Sequence, residues 1–283
     1  MNKIWAVYFS PAGSTGRVVL RAAERLSGKL GIPVEAIDLT LPKARTELCS
    51  FGPEDVAVVG TPTYAGRVPN KFLPELQRLL HGEGTKALGI VTFGNRSYDS
   101  SLAELLEVLE ANGFEPMAGA AMVCRHVFSE KLAPGRPDEE DLAALDAWAD
   151  AAAACLGAES DGKAEPAQVA QMAQIRPLAE ARTPVAPYYT PLGTDGQPAK
   201  FLKAKPVTDL EKCDRCGVCA GVCPMGSIPA EDPASTAGIC IKCQACVRLC
   251  PKKARHFEDP AFLSHVGMLE QNYTRPAAPA FFV

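Results

Sequence analysis

No apolar run in this 283-residue sequence reaches the ~18–20 residues that a membrane-crossing helix needs, so no membrane span is expected. Basic residues are not in excess. Lys and Arg number 29 against 33 Asp and Glu, a formal net charge of −4. A general nucleic-acid binder needs the opposite balance, and no nucleic-acid partner is expected. The stretch from Met1 to Ser10 has one lysine and a short apolar run. It lacks the basic segment and small-residue cleavage site of an export signal, so a cytoplasmic location is expected. Histidine is scarce, and His126, His256 and His265 lack the spacing of metal ligands. No nucleophile or proton-transfer dyad stands out. Wholesale disorder is excluded too, because 47% of residues are hydrophobic and 22% charged, enough for a packed core.

Cysteine is sparse over most of the chain and crowded in one place. Of 11 cysteines, only Cys49, Cys124 and Cys155 lie outside the span Cys213 to Cys250. Those three read as unreactive thiols, Cys124 as a small hydrophobe at a strand end. In the cytoplasm, crowded cysteines are metal ligands more often than disulfides.

The crowded part has an internal repeat. Cys213-Asp-Arg-Cys216-Gly-Val-Cys219-Ala-Gly-Val-Cys223-Pro224 is followed 27 residues later by Cys240-Ile-Lys-Cys243-Gln-Ala-Cys246-Val-Arg-Leu-Cys250-Pro251. A [4Fe–4S] cube needs one thiolate per iron. Three cysteines spaced by two residues cap three corners from one tight loop, and the fourth comes from elsewhere. In two-cluster ferredoxins the last Cys of each run ligates the other cluster. The expected ligand sets are therefore Cys213, Cys216, Cys219 and Cys250, and Cys240, Cys243, Cys246 and Cys223. Zinc fits less well, because its sites favour two Cys pairs well separated in sequence. The module Lys205 to Phe257 has eight basic and five acidic residues. That excess offsets cluster charge of about −2 per oxidised cube.

The first half alternates strands and helices: strand Ile4–Phe9, helix Ser14–Leu30, strand Pro33–Leu39, strand Asp55–Gly60, helix Asn70–Leu80, strand Ala87–Phe93, helix Ser101–Ala111, strand Glu115–Val123 and helix Asp138–Leu156. This alternation predicts a parallel sheet covered on both faces. Residues 158–204 are rich in Pro, Gly and Ala, with one short helix expected near Ala167–Ile175. They read as a strap between domains. Residues 205–257 form the cysteine module. Residues 258–283 form an apolar tail expected to dock on a neighbouring domain.

In doubly wound sheets, ligands sit beyond the carboxyl ends of the strands. Three loops there are candidates. The first holds Ser10, Ala12, Gly13, Ser14 and Thr15, and opens onto a helix whose N–H groups suit a phosphate. It is neither a Walker A loop nor a G-x-G-x-x-G fingerprint, and ordinary helix capping explains such a loop equally well. The second runs through Pro62, Thr63, Tyr64, Ala65, Gly66 and Arg67. The third runs through Phe93, Gly94, Asn95, Tyr98 and Asp99. Each of the last two offers an aromatic ring, a glycine and polar groups, a set suited to a planar ring. Arg67 and Arg96 read either as partners of a reduced, anionic ring or as solvated side chains. His126, just past a strand end, is a further candidate for the ring edge.

On these residues the chain resembles the flavodoxins, whose phosphate loop reads T/S-x-T-G-x-T. Ser10, Gly13 and Thr15 match its fixed positions, while Ala12 departs from it. The whole layout is similar to the fused flavodoxin–ferredoxin proteins of the EFR-type ferrodoxin family, with Phe93 where Tyr is usual. The resemblance implies a flavodoxin-like, doubly wound, five-stranded parallel sheet of order 2-1-3-4-5 over residues 1–157. It also implies a C-terminal α+β ferredoxin-type domain, with FMN and two [4Fe–4S] clusters as cofactors. The implied role is low-potential electron transfer to or from redox partner proteins in anaerobic metabolism, with homodimerisation left open. The competing reading is an FMN-dependent reductase, with Tyr64, Tyr98 or His126 as proton source. A deep pocket over the flavin would favour the reductase, and a flavin edge covered by the strap would favour the carrier.

Overall fold

The computed structural model describes residues 1–161 and 175–283. Strand β1 (Ile4–Tyr8) leads into helix α1 (Ser14–Leu30), then β2 (Val34–Asp38), β3 (Cys49–Phe51), β4 (Val56–Pro62), α2 (Leu73–Leu79), β5 (Leu80–Gly82), β6 (Thr85–Phe93), α3 (Ser101–Ala111), β7 (Phe114–Val123) and α4 (Glu139–Asp161). The expected helix Ala167–Ile175 falls almost wholly outside the described residues.

Strands β2, β1, β4, β6 and β7 lie side by side in that order, all parallel. Counting these five alone, the order is 2-1-3-4-5, one of the two common doubly wound arrangements. Strand β4 is buried along nearly its whole length, as expected of a central strand with helices on both faces. On one face, Val18, Val19 and Leu26 of α1 pack with Leu145, Trp148 and Leu156 of α4. On the other, Leu76 and Leu79 of α2 pack with Leu102, Leu105 and Leu109 of α3. The polar stripe of α1 is occupied as well. Arg21 grips Asp146 at 2.7 and 2.8 Å, and Arg25 grips Asp150 at 2.6 Å through two bonds. Both are bidentate, the stronger geometry for such pairs.

The sheet departs from the five-stranded expectation. The tail supplies a sixth strand, β10 (Ala280–Phe282), antiparallel to β7. Phe281 and Phe282 are buried by it, and the Trp148 indole donates to the Phe282 carbonyl at 2.9 Å. Covering β7 removes an open sheet edge. A further parallel ladder pairs β3 with β5, where the chain leaves α2 directly as an extended strand.

The cysteine module is small. Strand β8 (Val207–Thr208) pairs antiparallel with β9 (Arg255–His256), and between them lie two single helical turns, α5 (Val218–Gly221) and α6 (Ala245–Arg248). Helix α7 (Pro260–Asn272) follows, its N-terminus capped by the Asp259 carboxylate, which accepts from the Phe262 N–H at 2.9 Å. Among the described residues no helix is long and apolar enough to cross a membrane.

Candidate functional site

The carboxyl ends of β1, β4, β6 and β7 open onto a cavity of about 420 Å³. Ala12, Ser14 and Thr15 line it from the first loop, Pro62, Thr63 and Tyr64 from the second, and Phe93 and Gly94 from the third. Thr92, Cys124, Arg125 and His126 line it too. The first turn of α1 faces this space with N–H groups that have no intrahelical acceptor. Hydroxyls hold the loops in place. The Ser10 Oγ accepts from the Gly16 N–H at 2.8 Å, Thr15 pairs with Thr92 at 2.7 Å, and Thr63 pairs with Ser101 at 2.7 Å. Ser10 and Gly13 thus shape the first loop and do not line the cavity.

Other candidates have different occupations. Ala65 and Gly66 form a tight turn in which both have positive φ, 48° and 78°. A Cβ on Gly66 would sit 2.2 Å from the Asp99 carboxylate, so the second and third loops touch there. Arg67 lies outside the cavity. Its Nε donates to Glu104 at 2.8 Å, its Nη1 donates to the Ala186 carbonyl at 2.7 Å, and its guanidinium lies 4.7 Å from the Tyr188 ring. Arg96 pairs with Asp99 and lies 4.0 Å from the Tyr189 ring. The two arginines are therefore not freely solvated. They clamp the strap, whose Tyr189 N–H also donates to the Ala65 carbonyl at 2.8 Å. Asn95 is buried and holds the tail, donating to the Tyr273 and Arg275 carbonyls and accepting from the Ala277 N–H. Tyr98 packs its ring 5.5 Å from Phe93, behind the cavity wall.

Arg125 has no counterpart in the three loops read from sequence, because the end of β7 has no glycine or hydroxyl signature, whereas Thr92 stands at the head of the third loop. His126 is within the reach foreseen for it. A Cβ on Gly94 would meet its ring at 2.5 Å, so glycine there lets the imidazole approach. Its Nδ1 accepts from the Phe128 N–H at 3.1 Å. Burial, with His265 and Arg96 nearby, holds its pKa down at about 4. An unfolded imidazole titrates near 6.5. Between those values the unfolded chain binds the extra proton, so stability is full above the upper value and falls as pH drops toward the lower one. The loss is roughly 3 kcal/mol. His126→Asn keeps an acceptor for Phe128 and removes the titration. Denaturation between pH 7 and 4 should show a flatter stability curve for that variant. The Cys124 thiol, pushed up to about 12 chiefly by burial, is inert at neutral pH.

Two further cavities lie in the cysteine module. One, about 300 Å³, is lined by Cys213, Cys216, Cys219 and Cys250; the other, about 370 Å³, by Cys223, Cys240, Cys243 and Cys246. The fourth cysteine of each motif thus faces the other motif's three. The repeat is visible in the backbone. Positive φ recurs at Arg215 and Lys242, at Gly217 and Gln244, and at Gly226 and Lys253. The Ser227 N–H points at the Cys223 sulfur at 3.3 Å, and the Ala254 N–H at the Cys250 sulfur at 3.3 Å. Among the described residues no three His, Cys, Asp or Glu converge as ligands of a single metal ion. A cube asks for something else, since each thiolate binds its own corner iron.

The second cysteine cavity abuts the sheet domain. Ile241, between Cys240 and Cys243, packs against the core that holds Val7 and Phe9. The buried Arg45 donates to the Pro224 carbonyl. Tyr64, which lines the first cavity, has its pKa raised by burial and then by Cys243 and Cys240. The first cysteine cavity lies farther out, with Cys216 exposed.

Residues 206–228 match the model of the 4Fe-4S binding domain. No curated protein matches the chain. Among solved structures, the rubredoxin oxygen:oxidoreductase of Desulfovibrio gigas is 21% identical with a TM-score of 0.40, over 56% of this chain and 37% of that one. The match therefore spans little more than a third of that oxidoreductase. An archaeal flavodoxin is 16% identical with a TM-score of 0.39, over 56% of this chain and 99% of its own. The flavodoxin of Streptococcus pneumonia TIGR4 is 21% identical with a TM-score of 0.37, over 52% and 95%. The fold is established by the strand order itself rather than by these alignments. The chain joins an α/β sheet of flavodoxin-like order to a segment that matches the 4Fe-4S binding model.

Proposed function

We propose that this chain is a low-potential electron-transfer protein that relays electrons between two [4Fe–4S] clusters and FMN, and to or from redox partner proteins. The observation that carries the reading is the grouping of eight cysteines into two cavities of four, one of them adjoining the Tyr64 wall of the strand-end cavity. When bound, the clusters would supply one-electron carriage and FMN one- or two-electron carriage.

The chain's own residues do the rest. The first turn of α1, with Ala12, Ser14 and Thr15, would hold the FMN phosphate, and Arg125 adds positive charge to the same cavity. Tyr64 and Phe93 would flank the ring. Cys213, Cys216, Cys219 and Cys250 would hold the outer cluster, and Cys223, Cys240, Cys243 and Cys246 the inner one. Ile241 and Tyr64 exclude water between the inner cluster and the flavin. The clamped strap favours a carrier over a reductase, because Tyr188 and Tyr189 lie on the loops that bound the ring.

Anaerobically purified protein is expected to contain about eight irons and about one FMN per chain, from two cubes and one strand-end site. Zinc in place of iron, or protein without flavin, would overturn the reading.

A further inference from the structure

The two halves of the cysteine module differ in charge at one buried position. Five residues after Cys223 the first half has Ile228, and five residues after Cys250 the second half has Arg255. Both are buried, 5% and 3% exposed. Ile228 lines the cavity of Cys223, Cys240, Cys243 and Cys246, whereas Arg255 lines that of Cys213, Cys216, Cys219 and Cys250. An arginine thus stands where the other half has an apolar residue, while the four cysteines and the proline of each half recur in register.

The surroundings of Arg255 do not neutralise it. Its Nη1 donates to the Pro233 carbonyl at 2.9 Å and to the Thr208 hydroxyl at 3.1 Å, and its Nη2 donates to the Thr236 hydroxyl. All three acceptors are uncharged. Its Nε is buried with no partner. Among the described residues no carboxylate forms an ion pair with it. A buried cation without a counter-charge is strongly disfavoured, so this site calls for negative charge nearby. Cys219 supplies a direct link, because its thiol donates to the same Pro233 carbonyl at 3.2 Å.

We propose that Arg255 is the buried counter-cation of the cluster held by Cys213, Cys216, Cys219 and Cys250 and that it raises that cluster's reduction potential. The proposal rests on the reading that the two cysteine sets hold [4Fe–4S] clusters. Reduction adds one electron and one negative charge to a cluster, with no bond made or broken. The guanidinium keeps its positive charge throughout, as arginine does in proteins. A fixed positive charge in a low-dielectric site favours the more negative, reduced state. Arg255 is a positioning and tuning residue here, not a ligand.

The test is an anaerobic dithionite titration, followed by electron paramagnetic resonance, of the full-length protein and of Arg255→Gln, Arg255→Ile and Arg255→Lys. Isoleucine is the residue that the first half accommodates at this position. Both neutral variants are expected to retain two cubes and to shift the reduction equilibrium of that cluster at least ~tenfold toward the oxidised state, which is about 59 mV for a one-electron couple, and that of the other cluster by less. Arg255→Lys is expected to stay within about threefold of the wild type, by the same relation. Unchanged potentials in the neutral variants, or an equal shift of both clusters, would overturn the assignment. If neither neutral variant assembles clusters, assembly in the lysine variant still supports the proposal, because lysine keeps the charge and loses the fork geometry. Failure of the lysine variant as well would overturn it. Absence of any cubane signal from the wild-type protein would instead sink the cluster reading itself.

Discussion

Replacing Cys250 with alanine is expected to strip the cluster held by the first motif, and iron falls from about eight to about four per chain. The expectation runs against sequence proximity, since Cys250 belongs to the second motif. It follows from the cavity in which Cys250 faces Cys213, Cys216 and Cys219. Paired variants separate the crossed arrangement from a local one. Cys213→Ala combined with Cys250→Ala removes two ligands from one crossed set, so one cube survives. Cys213→Ala combined with Cys223→Ala removes one ligand from each, so neither survives intact. A local arrangement gives the reverse. Cubane resonance signals and iron content of the two double variants decide between them. The crossing also has a mechanical consequence. Each cluster would join both halves of a module whose only strand pairing is two residues long. Iron would then supply much of the module's folding free energy, as metals do in small domains, and chelation should unfold it.

Glu104→Ala is expected to destabilise the sheet domain by about 3–5 kcal/mol. Glu104 is 4% exposed and sits on α3. Its carboxylate accepts from Arg67 through two bonds and from the Val68 N–H at 2.8 Å. Truncation leaves a largely buried guanidinium without its counter-ion and a buried N–H without its acceptor, both of which are costly. The Glu104 hydrogen bond is also the main reason that the Arg67 pKa is raised. The damage should spread to the strap, because the same guanidinium holds the Ala186 carbonyl and lies against Tyr188. A fall in denaturation midpoint together with faster proteolysis near Ala186 is the expected outcome. A midpoint within about 0.5 kcal/mol of wild type, the usual range for an uninvolved surface change, would show that the pair does not bear on stability. Glu104→Gln should fall between, since the amide oxygen still serves Val68.

The cysteine pattern and the strand–helix alternation could be read from the chain because both are local. Three ligands within seven residues must share a loop, and an apolar run such as Val56 to Gly60 must be covered on both faces wherever it sits. The strand-end loops could be located for the same reason, and Ala12, Thr15, Thr63, Tyr64 and Gly94 do line one cavity. Long-range partnerships decided the rest. Arg67, Asn95 and Asp99 have the right chemistry for a ring site, yet their partners come from α3, the tail and Arg96. Nothing in the local sequence around Arg67 announces Glu104 or Tyr188. His126 became neutral because Gly94, Phe128 and His265 bury it, which no spacing rule expresses. The sixth strand has the same origin. Ala280–Phe282 is only three residues long and pairs because β7 offers an open edge beside Trp148. By itself the sequence determined that eight cysteines fall into two repeated motifs and where the strand-end loops lie. Only the tertiary structure decided how the polar groups around them are engaged, because their partners, such as Glu104 for Arg67 and the Tyr273 carbonyl for Asn95, come from distant parts of the chain.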